Sequence, residues 1–296
     1  MTKETTLVIG ASGMLGSEVF RALAGKSDHC VFASVRNSSA LQYFDAEYHN
    51  KIATNVDVLD NDALISLLNW SKPTTVVNCV GLIKQLPASK DPLVALPINA
   101  MFPHRLARLA ALVGARLIHV STDCVFSGSK GGYTEDCEPD SSDLYGVSKR
   151  LGEVLDVENA VTLRTSIIGR ELNSAHSLVE WFLAQHGEVM GFKHAIFSGL
   201  PTCELASVIR DVVIPHKELN GLYHVSAEPI SKFELLQLIA SEYGKDIRIL
   251  PDERTVIDRS LNSARFSCAT GYVAPPWPEL IKRMHRNERM GGPADV

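Results

Sequence analysis

The stretch that most constrains the fold of this chain is a short apolar run, Thr6 to Ile9. It breaks directly into Gly10-Ala11-Ser12-Gly13-Met14-Leu15-Gly16 and then into a helical pattern with Leu15, Val19, Phe20 and Leu23 on one face. Strand, glycine turn and helix in immediate succession are the context in which a dinucleotide diphosphate is held. Gly10 allows the tight turn, Gly13 lets the backbone approach the diphosphate, and Gly16 permits close packing of helix on strand. The helix start then offers free N–H groups and the positive end of the helix dipole. A merely structural glycine turn is the plainer reading, and the spacing is G-x-x-G-x-x-G rather than G-x-G-x-x-G.

Further on, apolar strand-like runs and amphipathic helical runs alternate. Cys30 to Val35 reads as a second strand, Val56 to Leu59 as a third, Thr75 to Val80 as a fourth and Leu117 to Val120 as a central one. Asp60 to Trp70 is amphipathic, and Pro92 to Val113 is mostly helical with interruptions at Pro97 and Pro103. This alternation predicts a doubly wound parallel sheet, a Rossmann-type α/β fold. With 296 residues, 45% of them hydrophobic, the chain can bury a full core and add a smaller second region. The periodicity changes after Thr165. We therefore expect an NADP(H)-binding domain over 1–165 and a mainly substrate-binding domain over 166–296.

In that second region Ser177 to Gln185 is an amphipathic helix, Val189 to Pro201 reads as loop and short strand, and Ser231 caps a helix from Lys232 to Tyr243. His194 and Trp181 are surface or core as readily as ligand contacts. Residues from Arg283 onward read as frayed.

The net charge of -5 carries no basic stripe, which argues against a nucleic-acid partner. The start lacks a signal peptide's apolar core and no run is long enough for a membrane span, so a cytoplasmic location without a membrane partner is expected. The six scattered cysteines form no C-x-x-C pair, and Cys30, Cys79 and Cys124 read as reduced space-filling residues.

The chemistry concentrates between Leu117 and Glu153. Ser121, Thr122 and Asp123 stand at the exit of the central strand, where open α/β sheets place their ligands. Tyr145 and Lys149 are four apart, so a helix puts them on one face. A phenol needs help to act as an acid near neutral pH, and a nearby ammonium lowers its pKa. A packed tyrosine with a solvated lysine is the plain alternative for that pair alone.

Arg36 stands where an NAD-specific site presents an acid to the ribose, and its charge suits a 2′-phosphate, so NADPH is preferred with NADH possible. Arg36 could also be simply solvated. Asp57 is a candidate for the adenine amino group or a cap for the helix starting near Asp60. Gly81 can let the backbone pass the cofactor, and Asn99 could brace the site or lie on the surface. The expected dinucleotide set is Gly10, Ser12, Gly13, Met14, Leu15, Gly16, Arg36, Asp57, Val58, Cys79, Val80, Gly81, Asn99 and Ser121, with Tyr145 and Lys149.

The motifs I-G-A-S-G-M-L-G, V-S-T-D-C-V-F-S-G, Y-G-V-S-K-R-L-G-E and L-R-T-S-I-I-G together resemble the extended short-chain dehydrogenase/reductases, and among them the dTDP-4-dehydrorhamnose reductase family. The late Asp258-Arg259-Ser260-Leu261-Asn262-Ser263 corresponds to that family's R-P-x-N-S, and the resemblance runs to about Pro278. Cys124 and Ser260 depart from the family's usual Tyr and Pro. The resemblance implies that Thr122 binds the substrate carbonyl, that Tyr145 donates the proton, and that Lys149 holds the nicotinamide ribose and depresses the Tyr145 pKa. It also implies that the part at about 221–243 returns to flank the cofactor sheet. Lys193 and Arg259 lie in loops of the second region, where their charges can hold the nucleotide diphosphate, and Thr122, Asp123 and Asn262 complete the expected substrate contacts.

The expected activity is NADPH-dependent reduction of the C4 keto group of a nucleotide-diphosphate 4-keto-6-deoxysugar, in deoxysugar and polysaccharide biosynthesis, by a monomer or homodimer without a metal. Sugar dehydratases place Asp-Glu after the Thr, and Asp123-Cys124 lacks that Glu. A non-catalytic NADP-binding regulatory subunit and a nucleotide-sugar 4-epimerase are the alternatives.

Overall fold

The computed structural model describes residues 4–26, 29–172 and 177–291. The chain opens with β1 (Glu4–Ile9), α1 (Met14–Ala24), β2 (His29–Ser34), β3 (Ile52–Ala53), α2 (Asn61–Ser71) and β4 (Thr75–Asn78). It continues through α3 (Pro92–Ala95), α4 (Phe102–Leu112), β5 (Arg116–Thr122), α5 (Leu144–Leu151), β6 (Ala160–Thr165), β7 (Ile167–Ile168) and α6 (Leu178–Ala184). Then come β8 (Glu188–Phe197), β9 (Leu200–Pro201), α7 (Thr202–Val208), β10 (Gly221–His224), β11 (Ile230–Ser231) and α8 (Lys232–Glu242). The last elements are β12 (Arg248–Asp258), α9 (Ala264–Thr270) and α10 (Trp277–Gly291).

Seven strands form one sheet in the order β10-β6-β5-β4-β1-β2-β3, and every pairing in it is parallel. Its strands read as unbroken apolar runs because both faces are covered. Val8 packs with Val19 and Phe20 on one side, while Leu7 and Ile9 pack with Leu64 and Leu106 on the other. Strand order reverses between β1 and β4, which opens the crevice at the carboxyl ends of the sheet. This is the doubly wound parallel α/β sheet expected from the sequence.

A second sheet has the order β11-β8-β12, with β12 parallel and β11 antiparallel to β8. Helix α8 lies on β8, where Phe233 fills the space a side chain at Gly191 would need. A capping box starts α8: Ser231 accepts from the Glu234 N–H and the Glu234 carboxylate accepts from the Ser231 N–H.

Four expectations about elements need correction. The third strand is Ile52–Ala53, not Val56 to Leu59, because Asn55 takes a left-handed φ of 57° and ends the ladder. The helix from Pro92 is not interrupted by its prolines. It widens by one residue over Leu96–Met101, where the Phe102 N–H donates five residues back to the Pro97 carbonyl. Val189 to Pro201 is mostly the ten-residue strand β8. The stretch from Arg283 to 291 is helical in α10, which seats Trp277, Leu280, Ile281 and Met284 in the core. Its last turn is held where the Tyr243 hydroxyl donates to Glu288 at 2.6 Å.

Candidate active site

The site is built where β5 ends. Thr122 is the last residue of that strand, is 8% exposed, and its Oγ1 accepts from the Cys124 N–H at 3.1 Å. The same hydroxyl donates to the Asp123 carboxylate at 3.1 Å. Helix α5 is started by Asp143, which accepts from the Gly146 N–H at 2.9 Å, and this fixes Tyr145 in the first turn. Glycine is required at 146 because a Cβ there would lie 2.3 Å from the Cys124 carbonyl oxygen. That close approach brings the Tyr145 phenol to the Thr122 hydroxyl, whose hydrogen bond favours the phenolate.

Lys149, one turn on, is 5% exposed and donates to the Val120 carbonyl at 2.9 Å. Burial lowers its pKa to about 8, with the Glu153 carboxylate opposing. Burial raises the Tyr145 phenol above its ordinary value. The expectation that Lys149 depresses the Tyr145 pKa is therefore corrected for this structure: the ammonium bonds a strand carbonyl, and desolvation decides the sign. A protonated phenol is the form a proton donor needs at neutral pH.

The glycine turn lies across the crevice. Gly10 has a φ of 84°, and a Cβ there would meet Val80 Cγ2 at 2.7 Å; a Cβ at Gly16 would meet the Gly10 carbonyl at 2.2 Å. Gly13 stands at the start of α1, which has no capping side chain and no acid in its first turn. Its N–H groups at Met14, Leu15 and Gly16 thus point outward without a side-chain partner, beside half-buried Ser12. Arg36 is exposed just past β2 and has no ion pair among the described residues.

Asp57 is also exposed; it accepts from the Leu59 N–H at 2.9 Å, and half-buried Val58 follows. The cap of α2 is Asp60 itself, not Asp57. Cys79 follows β4, its N–H donating to Ile9, and burial pushes its thiol up to about 12. Val80 is held by its N–H donating to Asn78 Oδ1 at 3.0 Å. Gly81 faces Lys149 and Asn99: a Cβ there would lie 3.7 Å from Lys149 Nζ and 3.8 Å from Asn99 Oδ1. Asn99 is buried, 1% exposed, and not a surface residue. Its amide accepts from the Leu82 N–H at 2.8 Å and donates to Leu82 O and Ser148 Oγ at 3.2 Å each.

The expected substrate contacts do not all meet. Arg259 lies at the end of β12 and donates through Nε to the Phe126 carbonyl at 2.8 Å. Its terminal nitrogens carry no hydrogen bond among the described residues. Its charge favours ionisation of Asp123, against the burial that raises that carboxyl. Lys193 sits elsewhere on β8, opposite the bulge between Asp252 and Val256, and pairs with Glu253 at 2.9 Å. It lines a cavity of about 520 Å³ with Ile196, Phe233 and Asp258, and Arg259 is not in that wall. Asn262 is exposed and spends its amide oxygen on the Ala264 N–H at 2.8 Å, at the start of α9.

A match to the model of the RmlD substrate binding domain spans residues 4–286. The chain belongs to the RmlD family. It is 34% identical over 265 residues to the probable low-salt glycan biosynthesis reductase Agl14 of Haloferax volcanii, covering 86% of this chain and 83% of that protein. It is also 26% identical to the methionine adenosyltransferase 2 subunit beta of Mus musculus, covering 95% of this chain and 89% of that one. The crystal structure of dTDP-4-dehydrorhamnose reductase from Bacillus anthracis in complex with NADP superposes with a TM-score of 0.80 at 23% identity, covering 97% of this chain and 100% of that one. The extended short-chain reductase fold is thereby established for this RmlD-family chain.

Within that family frame, the glycine turn fits a dinucleotide: Gly13 at the start of α1 carries no side chain, and the helix start offers N–H groups without a side-chain cap. Sequence reasoning missed three residues near the site. Lys232, the first residue of α8, is half-buried, and its charge is felt at Asp123 and Cys124. Glu153 and Arg164 form a buried pair beneath Ser121, with Arg164 Nε–Glu153 Oε1 at 2.6 Å and side chains 3% and 2% exposed. Glu153 continues the four-residue spacing of Tyr145 and Lys149, a signal that was visible. Nothing local marks Lys232 or Arg164. Among the described residues no His/Cys/Asp/Glu group could hold a metal, no helix is long and apolar enough to cross a membrane, and the six cysteines are free.

Proposed function

We propose that this RmlD-family chain reduces the C4 keto group of a nucleotide-diphosphate 4-keto-6-deoxysugar with NADPH, supplying deoxysugar for a surface glycan such as lipopolysaccharide O-antigen. The observation that carries the reading is the convergence of Thr122, Tyr145 and Lys149 at the carboxyl end of β5, across the crevice from the bare glycine turn. Gly10, Gly13 and the N–H groups of Met14, Leu15 and Gly16 would hold the cofactor diphosphate, and Arg36 a 2′-phosphate. NADPH, when bound, supplies the hydride. The Thr122 and Tyr145 hydroxyls orient the carbonyl oxygen and stabilise the charge that develops on it. Tyr145, protonated at neutral pH, gives its proton to that oxygen. Arg259 offers a planar pair of terminal nitrogens to the substrate diphosphate. Cys124, whose thiol burial pushes up to about 12, supplies no acid-base group for dehydration.

The test is a screen of dTDP-, UDP- and GDP-linked 4-keto-6-deoxyhexoses for NADPH oxidation, with NMR of the product. Oxidation with one of them is expected; none with any of them would overturn the reading. A second reading, a non-catalytic regulatory subunit, is favoured by the nearly full-length match to methionine adenosyltransferase 2 subunit beta. It predicts no NADPH oxidation and co-elution with a methionine adenosyltransferase catalytic chain.

A further inference from the structure

Lys149 and Glu153 leave one face of α5 and its continuation and grip consecutive residues of β5. The Lys149 ammonium donates to the Val120 carbonyl at 2.9 Å, and the Ser121 hydroxyl donates to Glu153 Oε1 at 2.8 Å. Those two residues lead directly into Thr122. Glu153 is itself clamped from β6, where Arg164 Nε donates to Oε1 at 2.6 Å and Nη2 to Oε2 at 2.7 Å. Arg164 is held in turn by the Phe126 ring, 5.2 Å from its guanidinium carbon, and by His224 Nε2 on β10 at 3.4 Å. Glycine at 152 lets this segment approach the widened helix turn: a Cβ there would lie 1.9 Å from the Asn99 carbonyl. Glu153 therefore has one position available.

We propose that Glu153 is a positioning residue for Lys149: clamped by Arg164, its carboxylate supplies the buried negative charge that keeps the Lys149 ammonium charged and fixed against the end of β5. This rests on the assignment of Tyr145 and Lys149 to an NADPH site, and not on the identity of the sugar. The other titratable groups facing Lys149 are neutral near pH 7. On β4's exit, burial pushes Cys79 up to about 12. On β5, His119 is held well below its ordinary value by burial and by Lys149 itself. On β10, behind Arg164, burial lowers His224 to about 3. Glu153 is the carboxylate whose charge raises the Lys149 pKa, against the burial that lowers it. Arg164 holds that carboxylate in place from β6.

The experiment measures NADPH affinity by fluorescence from pH 6 to 10, and kcat/KM where a substrate is in hand, for wild type and variants shown to be folded by circular dichroism. Wild-type affinity should fall on the alkaline side, near the lysine's pKa of about 8. Glu153→Gln should move that limb down by about one pH unit, since a unit of pKa is the scale of a lost near charge. Glu153→Asp, which keeps the charge, should hold it near wild type. Arg164→Gln removes the clamp and leaves the carboxylate buried without its cation, so it should move the limb down as well, and this variant decides the matter if Glu153→Gln does not fold. A packing role alone would lower the stability of both and move neither limb. An unmoved limb in folded Glu153→Gln, or an upward shift in either variant, would overturn the proposal. Because this readout needs no sugar, failure of the ketosugar screen leaves it standing, and its failure leaves the screen standing.

Discussion

Tyr145→Phe keeps the ring's packing and removes the hydroxyl alone. Turnover should fall by roughly 10², the usual size of a general acid's contribution, while NADPH binding persists. Undiminished steady-state turnover would refute the assignment of the acid. Arg36 is exposed and unpaired among the described residues, so Arg36→Asp should replace an attraction for a 2′-phosphate with a repulsion. Paired titrations with NADPH and NADH check this, and wild-type preference for NADH would sink it. The pH dependence belongs to this scale too. Lys149 titrates near 8 in the fold against 10.5 free, so above about pH 8 the folded protein sheds a proton that the unfolded chain retains. Its burial penalty is then relieved, and stability from this group rises between pH 8 and 10.5 even as NADPH affinity falls. The candidates for the acid-base set, Thr122, Tyr145 and Lys149, were legible from the order of motifs along the chain and not from the Tyr-Lys spacing alone. The direction of the Tyr145 pKa was not, because desolvation is set by what the fold lays over the ring.

At the level of elements, α5 and the widened helix turn at Leu96–Met101 are locked together through two small positions. Gly152 has an ordinary φ of -91°, so Gly152→Ala is a purely steric test. Its Cβ would fall 1.9 Å from the Asn99 carbonyl oxygen, and overpacking of this kind costs roughly 1–3 kcal/mol. Urea unfolding should show that loss, with NADPH affinity falling as well because Asn99 and Lys149 both line Gly81. Unchanged affinity and stability would mean the two helices can move apart freely. Most element positions follow from apolar periodicity, but β3 and β8 do not. Asn55 ends one strand early by turning left-handed, and the ten residues of β8 are held extended by pairing with β11 and β12, segments distant in the chain.

For the whole molecule, the crevice between β1 and β4 gathers the glycine turn, the end of β5 and the loop after β12. A ligand bound there adds to folding stability by mass action. At a hundred times Kd NADPH should contribute about 2.7 kcal/mol, a rise in Tm of roughly 4 °C for a chain of this size. Thermal melts with and without NADPH check it, and no shift at saturating concentration would count against the crevice as a dinucleotide site. Arg259 bonds the Phe126 carbonyl, beyond the end of β5, so Arg259→Ala should leave this stabilisation intact while raising KM for the sugar nucleotide.

The sequence by itself determined the parallel sheet, the glycine turn and the capped helix at Ser231. Each depends on interactions within one turn or strand, or on the period of apolar residues. Tertiary structure alone decided which charges meet. Lys193 and Arg259 carry the same charge, yet Lys193 is neutralised by Glu253, while Arg259 is drawn to the Phe126 carbonyl, 133 residues away in the chain. Asn99 was an even choice between surface and site until the loop at Leu82 closed over it. Desolvation and ion pairing are sums over neighbours from distant segments, and no local pattern of residues encodes them.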